Sequence, residues 1–366
     1  MVKMRGFGWA LAAALAAALG ALAAFGPAQA GAPLFEPHDF IIKDFTFRSG
    51  ETLPELKLHY YTLGQPKKDA TGQIVNAVLI LHGTGGSGRQ FTAPQFADVL
   101  FAPGGLLDPA RYYLILPDDI GHGASSKPSD GLHMRFPKYD YADMVEGEHA
   151  IVARALGVQK LRLLMGTSMG CMHTFLYAEM YPDGARAAMP LACQAVALAG
   201  RNRLWRKMAI DSIEADSAWK GGDYGAQPML GLRGAENMLI VAGAAPWPMQ
   251  IAMPTGAKVD AYYAEQLPQR LKGLDANDLI YQLDASRDYD PSKDLEKIKA
   301  PLTWVNSADD FINPPELGLA QVDVKRIKGG KFVLIPAGPD THGHGTHTWA
   351  VFWKHDLSDL LKRSGS

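Results

Sequence analysis

The sequence predicts an α/β fold: a mostly parallel central sheet with helices on both faces and a helical insertion late in the chain. Three observations predict it. Short runs at residues 77–81, 112–116, 161–165, 302–305 and 332–335 are apolar at nearly every position, as strands buried between two helical layers must be. Stretches with helical spacing alternate with these runs, at 141–156, 169–181 and, closing the chain, about 347–362. Such alternation implies parallel strands joined by crossover helices. Residues 194–289 then break the rhythm, being rich in Met, Trp, Pro and Gly and reading as several short helices.

Each element has a local reason. Two strand-like runs, 40–47 and 56–62, open the folded part and are joined by a Ser49-Gly50 turn. The next strand ends in His82-Gly83-Thr84-Gly85-Gly86, the following one is stopped by Pro117-Asp118-Asp119, and a third is stopped by Gly166. The helix over 141–156 carries Glu146 and Glu148 on its polar side, and the helix from Met169 stops at Pro182-Asp183-Gly184. The expected organisation is therefore a core formed by residues 31–193 and 291–366, with residues 194–290 as a helical cap or lid.

Residues 1–30 read as a signal peptide. Lys3 and Arg5 precede an Ala/Leu-rich run from Trp9 to Phe25, Gly26-Pro27 breaks it, and Ala28-Gln29-Ala30 supplies small residues for cleavage. An uncleaved anchor is the alternative, since the run is near the lower limit for a bilayer span. No Cys follows the cleavage site, which argues against a lipid anchor. The expectation is an exported protein, periplasmic or secreted, with no stable membrane insertion after removal of the signal.

Composition bounds the function. The 366 residues are 47% hydrophobic and 20% charged with net charge −2, which excludes a disordered or fibrous chain. Removing Lys3 and Arg5 with the signal leaves 34 of the 36 basic side chains against 38 acidic ones. There is no basic stripe for nucleic acid. Cys171 and Cys193 either pair or remain as buried thiols. No spaced Cys/His/Asp cluster calls for a metal, and no cofactor is expected.

The chemistry lies at turns. Gly166-Thr167-Ser168-Met169-Gly170 is a G-x-S-x-G. The motif alone is common, but here it joins the end of an apolar strand to the start of a helix, where a nucleophile elbow belongs. A sharp turn lifts the Ser168 hydroxyl, and small flanking residues let backbone pass closely. The helix from Met169 aims its N–H groups at the same place. Such a serine needs a base, and the base an orienting acid, in the chain order Ser, acid, His.

Beyond the strand at 302–306, Asp309 and Asp310 compete for the acid. Asp310 is preferred because it stands four residues before Pro314, where related enzymes carry it; a turn-capping role is the alternative use of Asp309. After the last strand, Thr341-His342-Gly343-His344-Gly345-Thr346-His347 offers three candidate bases. His344, between two glycines, can swing its ring to Ser168, whereas His347 opens the next helix. A metal site on the three histidines lacks supporting carboxylates. Oxyanion donors are expected from the backbone N–H of Met169 and of Thr84, with His82 bonding its own loop. The glycine loop at 83–88 lacks the Gly-Lys-Ser/Thr ending of a phosphate cradle. Trp247, Met249 and Phe311, with Met238 and Met253, read either as an apolar substrate pocket or as packing.

At these residues the sequence resembles the homoserine O-acetyltransferase-like branch of the α/β-hydrolase superfamily. Gly166-Thr167-Ser168-Met169-Gly170-Cys171-Met172-His173, running to Tyr181-Pro182-Asp183, resembles that branch's GGSMGGMQ…YPD. Asp143-Met144-Val145 resembles its D-M-V, and residues 213–224 resemble its I-x-x-D-P-x-W-x-x-G-x-Y. Asp310-Phe311-Ile312-Asn313-Pro314-Pro315 resembles D-W-L-F-P-P, and Gly343-His344 matches the G-H of G-H-D-A-F-L. The likeness runs from about Leu56 to the C-terminus. It implies an α/β-hydrolase fold and the triad Ser168, Asp310, His344.

Two departures bear on function. The transferases carry an Asp after the histidine, thought to hold the amino group of homoserine, where this chain has Gly345. They also carry an arginine-rich cap segment, and the corresponding residues 239–254 contain no arginine. A zwitterion needs charged partners in a partly buried site. The expectation is therefore an exported serine esterase acting on a small, largely apolar acyl substrate. An acyltransferase is the nearest rival, and a non-catalytic binding protein on the same scaffold a second. The Met- and Pro-rich insertion is compatible with a homodimer, though no heptad demands one.

Overall fold

The structure is a computed structural model and describes residues 35–365; the expected signal peptide lies outside the described residues. In chain order the elements are β1 (Glu36–Thr46), β2 (Thr52–Leu63), β3 (Ala77–Leu81), α1 (Pro94–Leu100), β4 (Tyr113–Pro117), α2 (Tyr141–Ala150), β5 (Leu163–Thr167), α3 (Met169–Met180) and β6 (Ala188–Leu191). Five helices follow: α4 (Gly200–Glu214), α5 (Met229–Gly243), α6 (Pro246–Ala252), α7 (Gly256–Leu271) and α8 (Ala276–Asp284). The chain then returns through β7 (Leu302–Ser307), α9 (Leu319–Asp323), β8 (Gly330–Ile335) and α10 (Lys354–Arg363).

The sheet has eight strands in the order β1-β2-β4-β3-β5-β6-β7-β8. β1 and β2 pair antiparallel, β2 meets β4 antiparallel, and every later pairing is parallel. Why the central strands read as unbroken apolar runs is visible in their side chains. Leu79, Leu81, Ile115 and Leu164 point to one face with Val145 of α2 and Phe175 of α3. Val78, Ile80, Leu114, Leu116, Leu163 and Met165 point to the other, with Phe96 and Leu100 of α1 and Leu357 of α10. Both faces of each strand are dry, so alternation disappears from the sequence.

Helices α4, α5 and α8 form their own apolar cluster around Trp205, Ile213, Leu232, Leu279 and Leu283, and Phe311 and Ile312 from beyond β7 pack against it. Among the described residues no helix is long and apolar enough to cross a membrane.

Three expectations need correcting. Glu148 is not on a polar face: Glu146 is exposed, but Glu148 is fully buried and paired with an imidazole of α3. The closing helix does not run unbroken from His347. The chain makes tight turns over Gly343–Thr348 and Ala350–Phe352, and α10 begins at Lys354. The break lets the buried Trp353 turn inward and donate its indole N–H to His347 O at 3.1 Å. The helix over 141–156 likewise ends as a regular α-helix at Ala150 and finishes in a wider turn over Ile151–Ala155. Two short elements, α1 and the Pro-containing β6, had no distinct sequence signal.

Candidate active site

The site is assembled at the carboxyl ends of the parallel strands, where an open α/β sheet leaves a crevice. Ser168 stands between β5 and α3 with φ 55 and ψ −110. A non-glycine residue at positive φ costs on the order of 1–3 kcal/mol, and the surroundings hold it there. Ser168 N–H donates to Leu191 O of β6 at 2.8 Å, and Gly170 N–H donates to His82 O at 2.9 Å. The glycines of the motif are required by contact. A Cβ on Gly166 would lie 2.1 Å from Gly170 O, and one on Gly170 would lie 2.2 Å from Leu81 O. The elbow is a place where two chains pass within backbone distance.

His344 reaches the serine from the loop after β8. Its Nε2 lies 2.8 Å from Ser168 Oγ, and its Nδ1 lies 2.9 Å from Asp310 Oδ2. Asp310 is 2% exposed. Its Oδ1 accepts from Ile312 N at 2.8 Å and Asn313 N at 3.1 Å, and its Oδ2 also accepts from Asn313 Nδ2 at 3.0 Å. Burial pushes this carboxyl up, but His344 beside it and the hydrogen bonds from His344 and Asn313 outweigh burial and hold it below the usual range. An ionised Asp310 can only accept, so Nδ1 carries the proton and Nε2 presents its lone pair to the serine hydroxyl.

The two aspartates divide the work. Asp309 does not face the imidazole. Its Oδ2 accepts from Thr341 Oγ1 at 2.7 Å and from Gly343 N at 3.1 Å, bracing the loop that delivers His344. The three histidines of that loop do not converge. His342 stacks on Trp349 at 4.0 Å, and His347 is half-buried with its ring edge-on to His344 at 5.1 Å. Burial first, and the neighbouring His344 second, push the His347 pKa down to about 3.

The expected oxyanion donors are the backbone N–H groups of Thr84 and Met169. Met169 is the first residue of α3, and its amide has no intrahelical acceptor. Gly83, next to Thr84, lies against the nucleophile: a Cβ on it would be 3.4 Å from Ser168 Cβ. Gln90, unmarked by any motif, fixes this loop by accepting from Gly83 N at 3.1 Å and donating to Thr167 Oγ1 at 3.0 Å. His82 is fully buried and donates from Nδ1 to Gly83 O at 2.8 Å.

Of the three residues expected to line a substrate pocket, Phe311 packs against the cap cluster under the Arg201 guanidinium, 3.8 Å from its ring centre. Trp247 is 53% exposed on α6, and Met249, on the same helix, is half-buried. The cap approaches the histidine loop at Ala244 and Ala245, against Gly343. Cys171 and Cys193 form a disulfide with Cα atoms 5.8 Å apart, joining the first turn of α3 to the exit of β6.

One group of metal-ligating type converges among the described residues: Asp119, Glu148 and His173, all buried. His173 Nδ1 stands 2.6 Å from Glu148 Oε1. Two ligands about 2.1 Å from a tetrahedral ion would stand about 3.4 Å apart, so the pair is hydrogen-bonded.

A family profile described as the α/β-hydrolase fold matches residues 76–341. A probable acyltransferase of Methanothermobacter thermautotrophicus is 29% identical, over 76% of this chain and 84% of the relative. A homoserine O-acetyltransferase of Pelobacter propionicus is 28% identical, over 86% and 92%. Among solved structures, homoserine O-acetyltransferase from Bacillus anthracis superposes with TM-score 0.78 at 20% identity, covering 91% of this chain and 99% of that one. An acetylester hydrolase from Corynebacterium glutamicum gives 0.76 at 20%, covering 89% and 96%. The chain belongs to the α/β-hydrolase family, in its homoserine O-acetyltransferase-like branch.

Proposed function

We propose that this protein is an exported serine hydrolase that cleaves an ester, lactone or activated amide of a small, largely apolar substrate. The observation that carries the reading is the unbroken hydrogen-bond chain from Asp310 through His344 to Ser168. In the first half-reaction His344 Nε2 takes the hydroxyl proton as Ser168 Oγ attacks the carbonyl carbon. The resulting oxyanion is met by the N–H groups of Met169 and Thr84, and Asp310 stabilises the imidazolium. Collapse expels the alcohol, protonated by His344, and leaves an acyl-serine. Water then attacks with His344 again as base, releasing the acid and the free serine.

Water is favoured over an amino-acid acceptor because the charges that would hold a zwitterion are missing. Gly345 stands where the transferases carry an Asp, and residues 239–254 contain no arginine. Sterics do not forbid a side chain there, since a Cβ on Gly345 would meet nothing closer than 3.7 Å. The Cys171–Cys193 bond supports export, because such bonds persist in oxidising compartments. Acyl transfer is the second reading, favoured by the acyltransferases among the relatives.

The test is hydrolysis of p-nitrophenyl acetate and butyrate by the purified protein, beside Ser168→Ala. The expected result is turnover without added acceptor, reduced by roughly three or more orders of magnitude in the variant. Turnover only when an alcohol or amino acid is supplied would replace hydrolysis by transfer. Equal turnover in both proteins would remove Ser168 from the chemistry.

A further inference from the structure

Beneath the oxyanion loop lies a group of ionisable side chains that the proposed mechanism does not use. His82 comes from that loop, Asp119 from the turn after β4, Glu148 from α2 and His173 from α3; all are at most 2% exposed. Their contacts are continuous. His82 Nε2 accepts from Asp119 N at 3.2 Å and lies 3.4 Å from Asp119 Oδ2. Asp119 Oδ2 lies 3.7 Å from His173 Nδ1, which is 2.6 Å from Glu148 Oε1. Around them stand the His122 ring, 5.0 Å from His82, the Tyr141 ring, 4.6 Å from His173, and the hydroxyls of Tyr139 and Tyr177. Among the described residues, the ion-pair partners of these two acids are imidazoles alone.

We propose that Asp119 is a positioning residue for the oxyanion hole, holding the His82 ring in the one tautomer that carries the loop of Thr84. The proposal rests on the hydrolase reading above. Its geometry starts from His82 Nδ1, which must bear a proton to donate to Gly83 O. Nε2 is therefore bare, and it faces both Asp119 N–H and Asp119 Oδ2. A carboxylate oxygen opposite that lone pair repels it, whereas a carboxylic acid turns its O–H toward it, as an amide N–H would and a methyl group could not. Two acids buried together without a cation also cannot both ionise at modest cost. They share one proton, with Glu148 as the carboxylate that accepts from His173. Burial, and the nearby Glu148, push Asp119 up to about 8; burial pushes Glu148 up to about 8 as well. His173 is pushed down to about 4, chiefly by burial, and stays neutral.

Loss of the shared proton at alkaline pH would draw the His82 proton from Nδ1 to Nε2, toward Asp119. The Gly83 O bond would then be lost and the Thr84 N–H released from its aim. The same side chains tie that loop to α3, whose first residue, Met169, supplies the second N–H.

The test follows kcat and KM for p-nitrophenyl acetate from pH 6 to 9.5 in wild type, Asp119→Asn and Asp119→Ala, with bound metal measured in each. Wild-type kcat is expected to fall as pH passes about 8. Asp119→Asn mimics the neutral acid, so it should keep activity within about threefold at pH 7 and lose that alkaline fall. Asp119→Ala should lose ten- to hundredfold in kcat with KM nearly unchanged, as when an oxyanion donor is misplaced. Nitrogen-15 NMR of the wild-type His82 ring gives a reading independent of turnover, so failure of the hydrolase reading would leave this one testable. A neutral Nδ1–H ring at pH 7 that changes tautomer as Asp119 titrates is expected. An alkaline fall retained in Asp119→Asn, a His82 imidazolium or Nε2–H tautomer at pH 7, or one divalent metal per chain lost in Asp119→Ala would each overturn the proposal.

Discussion

The sheet with its flanking helices and the cap are built from similar apolar content, yet they bury it differently. In the sheet, β3 to β7 are buried at every residue. In the cap, α6 buries no residue and α7 buries only Leu267. Nine of the fifteen exposed large hydrophobic side chains among the described residues lie on α4–α7, including Leu230 at 77% and Ile251 at 60%. The cap holds together around one inner cluster, and its outer helices contribute surface more than core. Burial therefore concentrates in the strands that carry Ser168 and Asp310, and exposed apolar surface on the inserted helices; on the proposed function this would let acyl specificity change without disturbing the chemistry.

The contrast is open to measurement. Trp304 is fully buried, edge-on to Phe175 at 4.9 Å and to Phe332 at 5.6 Å, with its indole N–H on Cys193 O. Trp304→Ala is expected to cost about 3–5 kcal/mol in denaturant unfolding. A loss below about 1 kcal/mol would mean that the sheet layers are no tighter than the cap.

An intermediate effect is expected from His347, which is half-buried and held neutral. Its folded pKa lies below the unfolded value, so its contribution is fully present above about 6.5 and is lost as pH falls toward about 3. At pH 5 the penalty is about 2 kcal/mol. His347→Asn should flatten the fall in unfolding midpoint between pH 6.5 and 4.5, and an unchanged slope would place the acid sensitivity elsewhere.

The smallest stability effect belongs to the cap. Trp247→Ala should change unfolding free energy by less than about 0.5 kcal/mol, while KM for p-nitrophenyl butyrate rises several-fold. Unchanged KM would remove Trp247 from the substrate surface, and a stability loss above about 2 kcal/mol would make α6 part of a core.

Much of the site was legible because its residues sit at strand ends, where apolar runs stop and small residues begin. Ser168, Asp310 and His344 each follow a run whose burial the composition announces. The choice of Asp310 over Asp309 has its physical reason in the turn: one carboxylate faces the imidazole and the other ties Thr341 and Gly343 behind it. Less accessible were features whose partners come from several elements. Glu148 looks like any polar helix residue until His173 and Asp119 arrive from two other segments. Gln90 carries no motif, and its role exists only because β5 passes beside its loop. Pro190 hides β6, although the strand pairs with β5 through Gly166.

The wide spacing of the triad also bears on how the chain acquires its activity. Ser168 and His344 are 176 residues apart, whereas Asp310 and His344 are 34 apart. On the proposed mechanism the nucleophile emerges near the middle of synthesis and is followed by α4–α8, while the acid and base emerge together near the end. Closing so long a loop carries an entropy cost that only the completed sheet can offset. No shorter product of synthesis or proteolysis that lacks β7, β8 and the turn after them can activate its serine. On the proposed function, turnover would thus report on the integrity of the C-terminal quarter of the chain.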